Sequence, residues 1–398
     1  MSAGTERAAP ETSDGAGPGP SAGVDPSGGV GPRGGVGACD GGSVLTFGET
    51  MVALRGSGPL KLGGTMDVSI AGAESNVAIG LARLGHTVRW VGAVGDDEAG
   101  ELVLRTLRAE AVDVSGAWKD AGAPTGLILF EPRLPDLTRV HYYRAASAGS
   151  RLSPDVLDRA FATAVPRILH LTGITPALSP TARAASTHAL RLARDHGAMV
   201  CLDVNHRARL WSADQASAEL QNWMPYVDLL IASADELPLC LPPGSPTDTG
   251  AQARALLSAG VQEVAVKLGA AGATSYARPS RPGAPAGSTS SARCAEAPSD
   301  AQDAGGDAQD AGGDAQDAGG GSLHQPAVAV RAVDAVGAGD AFVAGYLSAL
   351  LDGEGIAGRL ERGVTTGAFA VASPGDWEGA PTRAELDLLG APPGTVVR

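Results

Sequence analysis

Residues 334–342 read Asp-Ala-Val-Gly-Ala-Gly-Asp-Ala-Phe. The small residues Gly337, Ala338 and Gly339 let the backbone turn tightly, and an apolar helical stretch follows from Asp340 to Leu351. Such a turn aims free N–H groups at the start of a helix, where hydrogen bonds and the helix dipole stabilise an anion. Asp340 stands at the same place. A carboxylate is a poor partner for a phosphate, but it is well suited to take a proton from a hydroxyl attacking one. From this fragment alone, a simple helix cap explains Asp340 equally well.

Two further glycine turns have the same flavour. Ala71-Gly72-Ala73-Glu74-Ser75-Asn76 runs into a helical stretch, where Asn76 alone would read as a local cap. Lys267-Leu268-Gly269-Ala270-Ala271-Gly272 follows an apolar strand and alone would read as a hairpin turn. His141 and His206 lack metal-ligand spacing and read as polar lining, while Trp90 and Trp377 read as packing. Cys39, Cys201, Cys240 and Cys294 are too scattered for a metal motif or a disulfide framework.

The elements that must position these residues alternate in type. Strands are predicted at Val44–Phe47, Val88–Val94, Arg167–Leu171, Met199–Val204, Asp228–Ile231 and Glu263–Lys267. Helices are predicted at Ser75–Leu84 (ending at Gly85), Glu98–Arg108, Thr181–Asp195 (closed by Gly197), Asp340–Leu351 and Arg359–Val371. Alternation of this kind implies a mostly parallel sheet covered on both faces, with ligands beyond the carboxyl ends of its strands. Leu127–Phe130 and Val140–Tyr143 break the alternation and predict a small separate sheet over the end of the main one.

Composition sets the outer limits. Residues 1–42 are almost wholly Gly, Ala, Pro, Ser and Asp, which predicts a disordered tail. A second biased stretch, about 279–325, contains DAQDAGG three times and predicts a flexible acidic insertion; its unit has only Ala to offer a core. The six aspartates of the repeats supply much of the net charge of −14. That balance argues against a nucleic-acid surface, and no stretch approaches the roughly 18 apolar residues of a membrane span. A cytoplasmic protein is the default expectation. A dinucleotide-binding oxidoreductase would need a glycine-rich turn straight after the first strand, which Gly48-Glu49-Thr50 does not supply.

Taken together, the three turns resemble the signatures of the ribokinase-like (PfkB) carbohydrate kinases, the first over residues 71–85 and the second over 334–345. The resemblance covers roughly residues 43–390, leaving 391–398 as a tail. It implies an α/β three-layer fold with a central, mostly parallel sheet and a small β lid near 127–143. His141-Tyr142-Tyr143-Arg144, Leu202 to Arg207 and Gly375 to Gly379 further resemble 2-keto-3-deoxygluconate kinases, which phosphorylate an acid sugar at its terminal hydroxyl.

The resemblance implies a catalytic base at Asp340 and an anion hole at Gly337, Ala338 and Gly339. Gly72, Asn76, Tyr142, Arg144, Arg207 and Asp376 would line the sugar site, with Arg144 and Arg207 holding the carboxylate in the planar fork that arginine provides. Asn205, Arg207, Lys267, Gly269 and Gly272 would meet ATP. Glu236 would help hold Mg2+ through water, although Ser233 departs from the family's Asn at that motif's first position. The insertion would fall close to the adenine. Lid sheets that pair between subunits make a dimer a fair expectation. A kinase for fructose or ribose, or a catalytically silent sugar-binding regulator, is the alternative.

Overall fold

Apolar strands such as Val44-Leu45-Thr46-Phe47 have no polar face, so each must be covered on both sides. The computed structural model describes residues 43–134, 137–278 and 321–390. The expected tails at 1–42 and 391–398 lie outside the described residues, as does most of the expected insertion.

In chain order, β1 (Val44–Phe47), β2 (Met51–Gly56) and β3 (Met66–Ala71) precede α1 (Ala73–Arg83). Next come β4 (Val88–Val91), β5 (Ala93–Gly95), α2 (Glu98–Ala109) and β6 (Trp118–Asp120). β7 (Leu127–Leu134) and β8 (Leu137–Tyr143) lead to α3 (Pro154–Thr163) and β9 (Ile168–Thr172). They are followed by α4 (Thr175–Leu178), α5 (Pro180–His196), β10 (Met199–Asp203), α6 (Ala213–Trp223) and β11 (Leu229–Ser233). α7 (Thr249–Ala259), β12 (Glu263–Lys267) and β13 (Ala273–Ala277) come next, and β14 (Ser322–Gln325), α8 (Ala338–Leu351) and α9 (Ile356–Val371) complete the order.

The main sheet runs β14-β13-β12-β11-β10-β9-β1-β4, parallel from β12 to β4 and antiparallel at β13 and β14. Alternate strand residues feed two cores. Leu45, Leu169, Leu202 and Val264 pack under α3, α5, α6 and α7, while Val44, Ile168, Cys201 and Ala265 pack under α1, α2, α8 and α9. These are the three layers that the alternation predicts.

The remaining departures have local causes. The stretch predicted as one strand, Val88–Val94, breaks at Gly92, and β5 pairs with β6 in a separate ribbon. The small sheet is four-stranded, ordered β3-β2-β7-β8, and not merely the pair near 127–143. Residues Ser322–Gln325, expected within the insertion, form β14 and extend the sheet.

The insertion's flanks also lie elsewhere than expected. β13 starts opposite Lys267 and ends opposite Glu263, and Ala277 N–H donates to the Gly321 carbonyl at 3.4 Å. The chain therefore leaves and re-enters at the amino edge of the parallel strands, roughly 13 Å along β12 from Lys267 at 3.3 Å per residue.

Candidate active site

A cavity of about 1170 Å³ opens beyond the carboxyl ends of β1, β10, β11 and β12, where an open α/β sheet is expected to hold its ligand. The small sheet roofs it with Met51, Ala71, Ile128, Phe130, Val140 and Tyr142, which share one face by the period of two in a strand.

Gly337 (φ 75°) caps α8, and a Cβ there would fall 1.8 Å from the Asp376 carbonyl oxygen. Only glycine satisfies both the left-handed backbone and that approach. The first amides of α8 have no partner within the helix; Ala338 N–H donates to the Ala335 carbonyl at 3.4 Å, while Gly337 and Gly339 line the cavity where donors can meet an anion. Lys267 Nζ lies 3.6 Å from where a Cβ on Gly339 would stand, and it is anchored by Asp203 at 2.7 Å. Burial alone would lower the lysine's pKa, but Asp203 and Glu236 outweigh it and raise it, so the ammonium stays charged.

Asp340 sits in the first turn of α8 and is 7% exposed. Its Oδ2 accepts from Asn76 Nδ2 at 2.8 Å and its Oδ1 from Asn205 Nδ2 at 3.4 Å. Burial raises its pKa to about 7; Asn76 opposes this, Asp203 adds to it, and Arg207 and Lys267 oppose it. A carboxyl with a pKa near neutrality can release and accept protons at physiological pH. Asn76 thus reaches across to Asp340 rather than capping α1. Its buried Oδ1 lacks a partner among the described residues, leaving an acceptor for a ligand hydroxyl. Asn205 holds a left-handed backbone (φ 38°), a strained conformation of the kind that collects at functional sites.

Gly72, Asn76, Tyr142, Arg144, Asn205, Arg207, Glu236, Lys267, Gly337, Gly339, Asp340 and Asp376 all line the cavity. Ala338, between two of them, opens α8 without lining it. Gly269 and Gly272 do not line it either. Gly272 (φ 100°) is required because the Gln325 carbonyl passes where its Cβ would stand, 2.1 Å away. His141 belongs to the opposite face of the small sheet, hydrogen-bonded to Glu131 at 2.9 Å, and so does not line the site. His206 does line it.

The two arginines expected to share a carboxylate are not equivalent. Arg144 Nε donates to Glu49 Oε2 at 2.6 Å, and its Nη2 pairs with the same oxygen, so its charge is already compensated. Arg207 is exposed in the cavity and makes no side-chain hydrogen bond or ion pair among the described residues, although its charge reaches Asp340.

Several residues in or beside the cavity were missed by sequence reasoning. Buried Glu49 follows β1 directly, and a charged residue at a parallel strand's carboxyl end is itself a signal. Glu74 is buried, accepts from Thr172 (2.6 Å) and Thr175 (2.7 Å), and has its pKa raised by desolvation. Arg55 touches Asp334 and Asp376 from β2, a pairing that no local motif announces.

The donor set can also be weighed against a divalent ion. Among the described residues no cluster of three or more His, Cys, Asp or Glu could hold a metal, so Mg2+ would draw its ligands from phosphates and water. Glu236 Oε1 accepts from His206 N–H (2.7 Å) and Oε2 from Ser233 N–H (2.8 Å), which leaves only outer lone pairs for a bridging water.

The profile of the pfkB family carbohydrate kinases matches residues 42–286 and 311–383. A 2-dehydro-3-deoxygluconokinase of Bacillus subtilis (strain 168) is 33% identical over 86% of this chain and 93% of its own length. A 2-dehydro-3-deoxygluconokinase of Thermoproteus tenax is 31% identical over 87% and 94%. The crystal structure of a PfkB protein from Polaromonas sp. JS666 superposes with a TM-score of 0.69 at 31% identity, covering 87% of this chain and 99% of that one. The chain belongs to the pfkB family of carbohydrate kinases.

Proposed function

We propose that this kinase transfers the γ-phosphoryl group of ATP to the C6 hydroxyl of 2-keto-3-deoxygluconate, also written 2-dehydro-3-deoxygluconate. The observation that carries the reading is a cavity in which buried Asp340 stands beside a helix-start anion turn, with the Arg207 guanidinium in the same cavity and held in no ion pair among the described residues. A sugar carboxylate would give the planar fork of Arg207 a bidentate partner that a neutral hexose does not offer. Two relatives that share nearly the whole chain carry the name of this activity.

In the mechanism, Asp340 takes the proton of the sugar hydroxyl as its oxygen attacks the γ-phosphorus, and ADP departs with the broken bond's electrons. The amides at 337–339 and the Lys267 ammonium offset charge on the phosphoryl oxygens. MgATP, when bound, supplies the phosphoryl group and divalent charge; Glu236 would reach the ion through water. Arg207 binds the carboxylate, and Tyr142, Gly72 and Asp376 shape the sugar site. Arg144, already neutralised by Glu49, donates to sugar oxygens. The roof of β2, β3, β7 and β8 acts as a lid that excludes water. An enzyme drawing on ATP fits the cytoplasm.

The lid's outer face exposes Val68 (58%) and Tyr143 (60%), and we assign it to contact with a second copy, which light scattering on the eluted protein tests. A coupled assay over acid and neutral sugars tests the substrate. Turnover on 2-keto-3-deoxygluconate should far exceed that on fructose or ribose, and faster phosphorylation of a neutral sugar would overturn the assignment.

A further inference from the structure

Arg55, on β2 of the lid sheet, does not line the cavity but grips two carboxylates beside it, of which Asp376 lines it. Its Nη1 lies 3.2 Å from Asp334 Oδ2 and its Nη2 2.7 Å from Asp376 Oδ2, across 279 and 321 residues of sequence. The guanidinium also stacks over the Phe130 ring at 4.1 Å. Both residues shape the anion turn, Asp334 through its carboxylate and Asp376 through its backbone. Asp334 Oδ1 accepts the Val336 N–H at 3.0 Å and so folds the approach to Gly337. The Asp376 backbone carbonyl occupies the space that a Cβ on Gly337 would need.

We propose that Arg55 is a positioning residue for phosphoryl transfer, a clamp that ties the lid sheet to the anion turn by neutralising Asp334 and Asp376 together. The inference rests on the reading of residues 337–339 as the phosphate-holding turn. Without the clamp, two like charges would face each other beside a site that must accept a polyphosphate. Asp376 already feels this balance: burial raises its pKa to about 6, Arg55 pulls it down, and Glu378 and Asp334 push it up. Removing one partner of such a group leaves uncompensated charge, which is the costly outcome. The adjacent turn would shift, and misplacement by about 1 Å can cost roughly 100-fold in rate.

The test compares kcat, KM for sugar and melting temperature in Arg55→Met, Arg55→Lys and the double variant Arg55→Met/Asp334→Asn. The assay uses whichever sugar the unaltered enzyme phosphorylates fastest. Arg55→Met should lose about 100-fold in kcat with KM for sugar within about threefold. Arg55→Lys, which keeps one charge, should recover about a tenth of normal kcat or more. The double variant should also regain part of the rate, because the amide oxygen that replaces the carboxylate still accepts from Val336 while one of the two orphaned charges, and with it the repulsion between them, is gone. A kcat for Arg55→Met within threefold of normal sinks the clamp. So does a loss that neither partner variant relieves, since a purely structural role predicts that pattern. If the unaltered enzyme phosphorylates no sugar at all, the functional reading has failed instead.

Discussion

Burial raises the Asp340 carboxyl from 3.8 to about 7, while Asn76, Arg207 and Lys267 hold it from rising further. As a base it must be ionised, so kcat/KM should fall about tenfold per unit as pH drops below about 7. Asp340→Asn should lose on the order of a thousandfold in kcat and show no such limb. The linked stability effect has the opposite sense. The folded state retains a proton that the unfolded chain releases between pH 3.8 and 7. That contribution is complete below the unfolded value and gone above the folded one. Asp340→Asn should therefore melt higher than the unaltered protein at pH 8, with the difference vanishing near pH 4; a lower melting point at pH 8 would refute it. Arg207 gives a second residue-scale outcome. Arg207→Ala should raise KM for an acid sugar at least about tenfold, through loss of a charge-assisted pair, and barely change KM for a neutral one. Equal losses on both, measured side by side, would remove the carboxylate role. The motifs revealed Asp340, Asn76 and Arg207 because each lies in a short diagnostic run. Glu49 and Arg55 escaped because their partners lie 95 to 321 residues away.

At the scale of elements, the start of α8 depends on one backbone conformation. Gly337→Ala would place a methyl group against the Asp376 carbonyl and force a left-handed backbone on alanine. Strain of this kind costs on the order of 1–3 kcal/mol before the clash is counted. Melting temperature should drop by several degrees and kcat by about 100-fold or more, as for loss of an anion-hole donor. A folded variant with normal kcat would show that the turn tolerates displacement. The helices and parallel strands were legible because their apolar periods and capping glycines are local, as with Gly197 closing α5 at φ 71°. β2 and β3 were not, because Arg55 interrupts the apolar run of one and Asp67 and Ser69 that of the other. β14 was hidden by its neighbours: four residues bordering a low-complexity stretch carry no period of their own.

Over the whole molecule, the sheet separates the cavity from the two points between which residues 279–320 run. Lys267 marks the edge of β12 that faces the cavity, whereas Ala277 and Gly321, the flanks of residues 279–320, meet at the opposite edge. The sequence placed this segment near the nucleotide because it lies between the Gly272 turn and α8 in the chain. The antiparallel course of β13 carries the chain back to the amino edge before the segment begins. A chain that leaves and returns at hydrogen-bonded neighbours needs no length between them, so a four-residue turn should close the β13–β14 hairpin. Replacing 42 residues (279 to 320 inclusive) with four removes a little over three doublings of loop length, worth roughly 2 kcal/mol of closure entropy. The shortened protein should keep kcat and both KM values within twofold and melt a few degrees higher. It should also lose the six aspartates of the repeats, becoming less acidic and more prone to associate as its net charge falls. A rise in KM for ATP alone would mean that the segment reaches around the sheet edge to the nucleotide. That result would restore the sequence-based expectation against the geometry of its flanks.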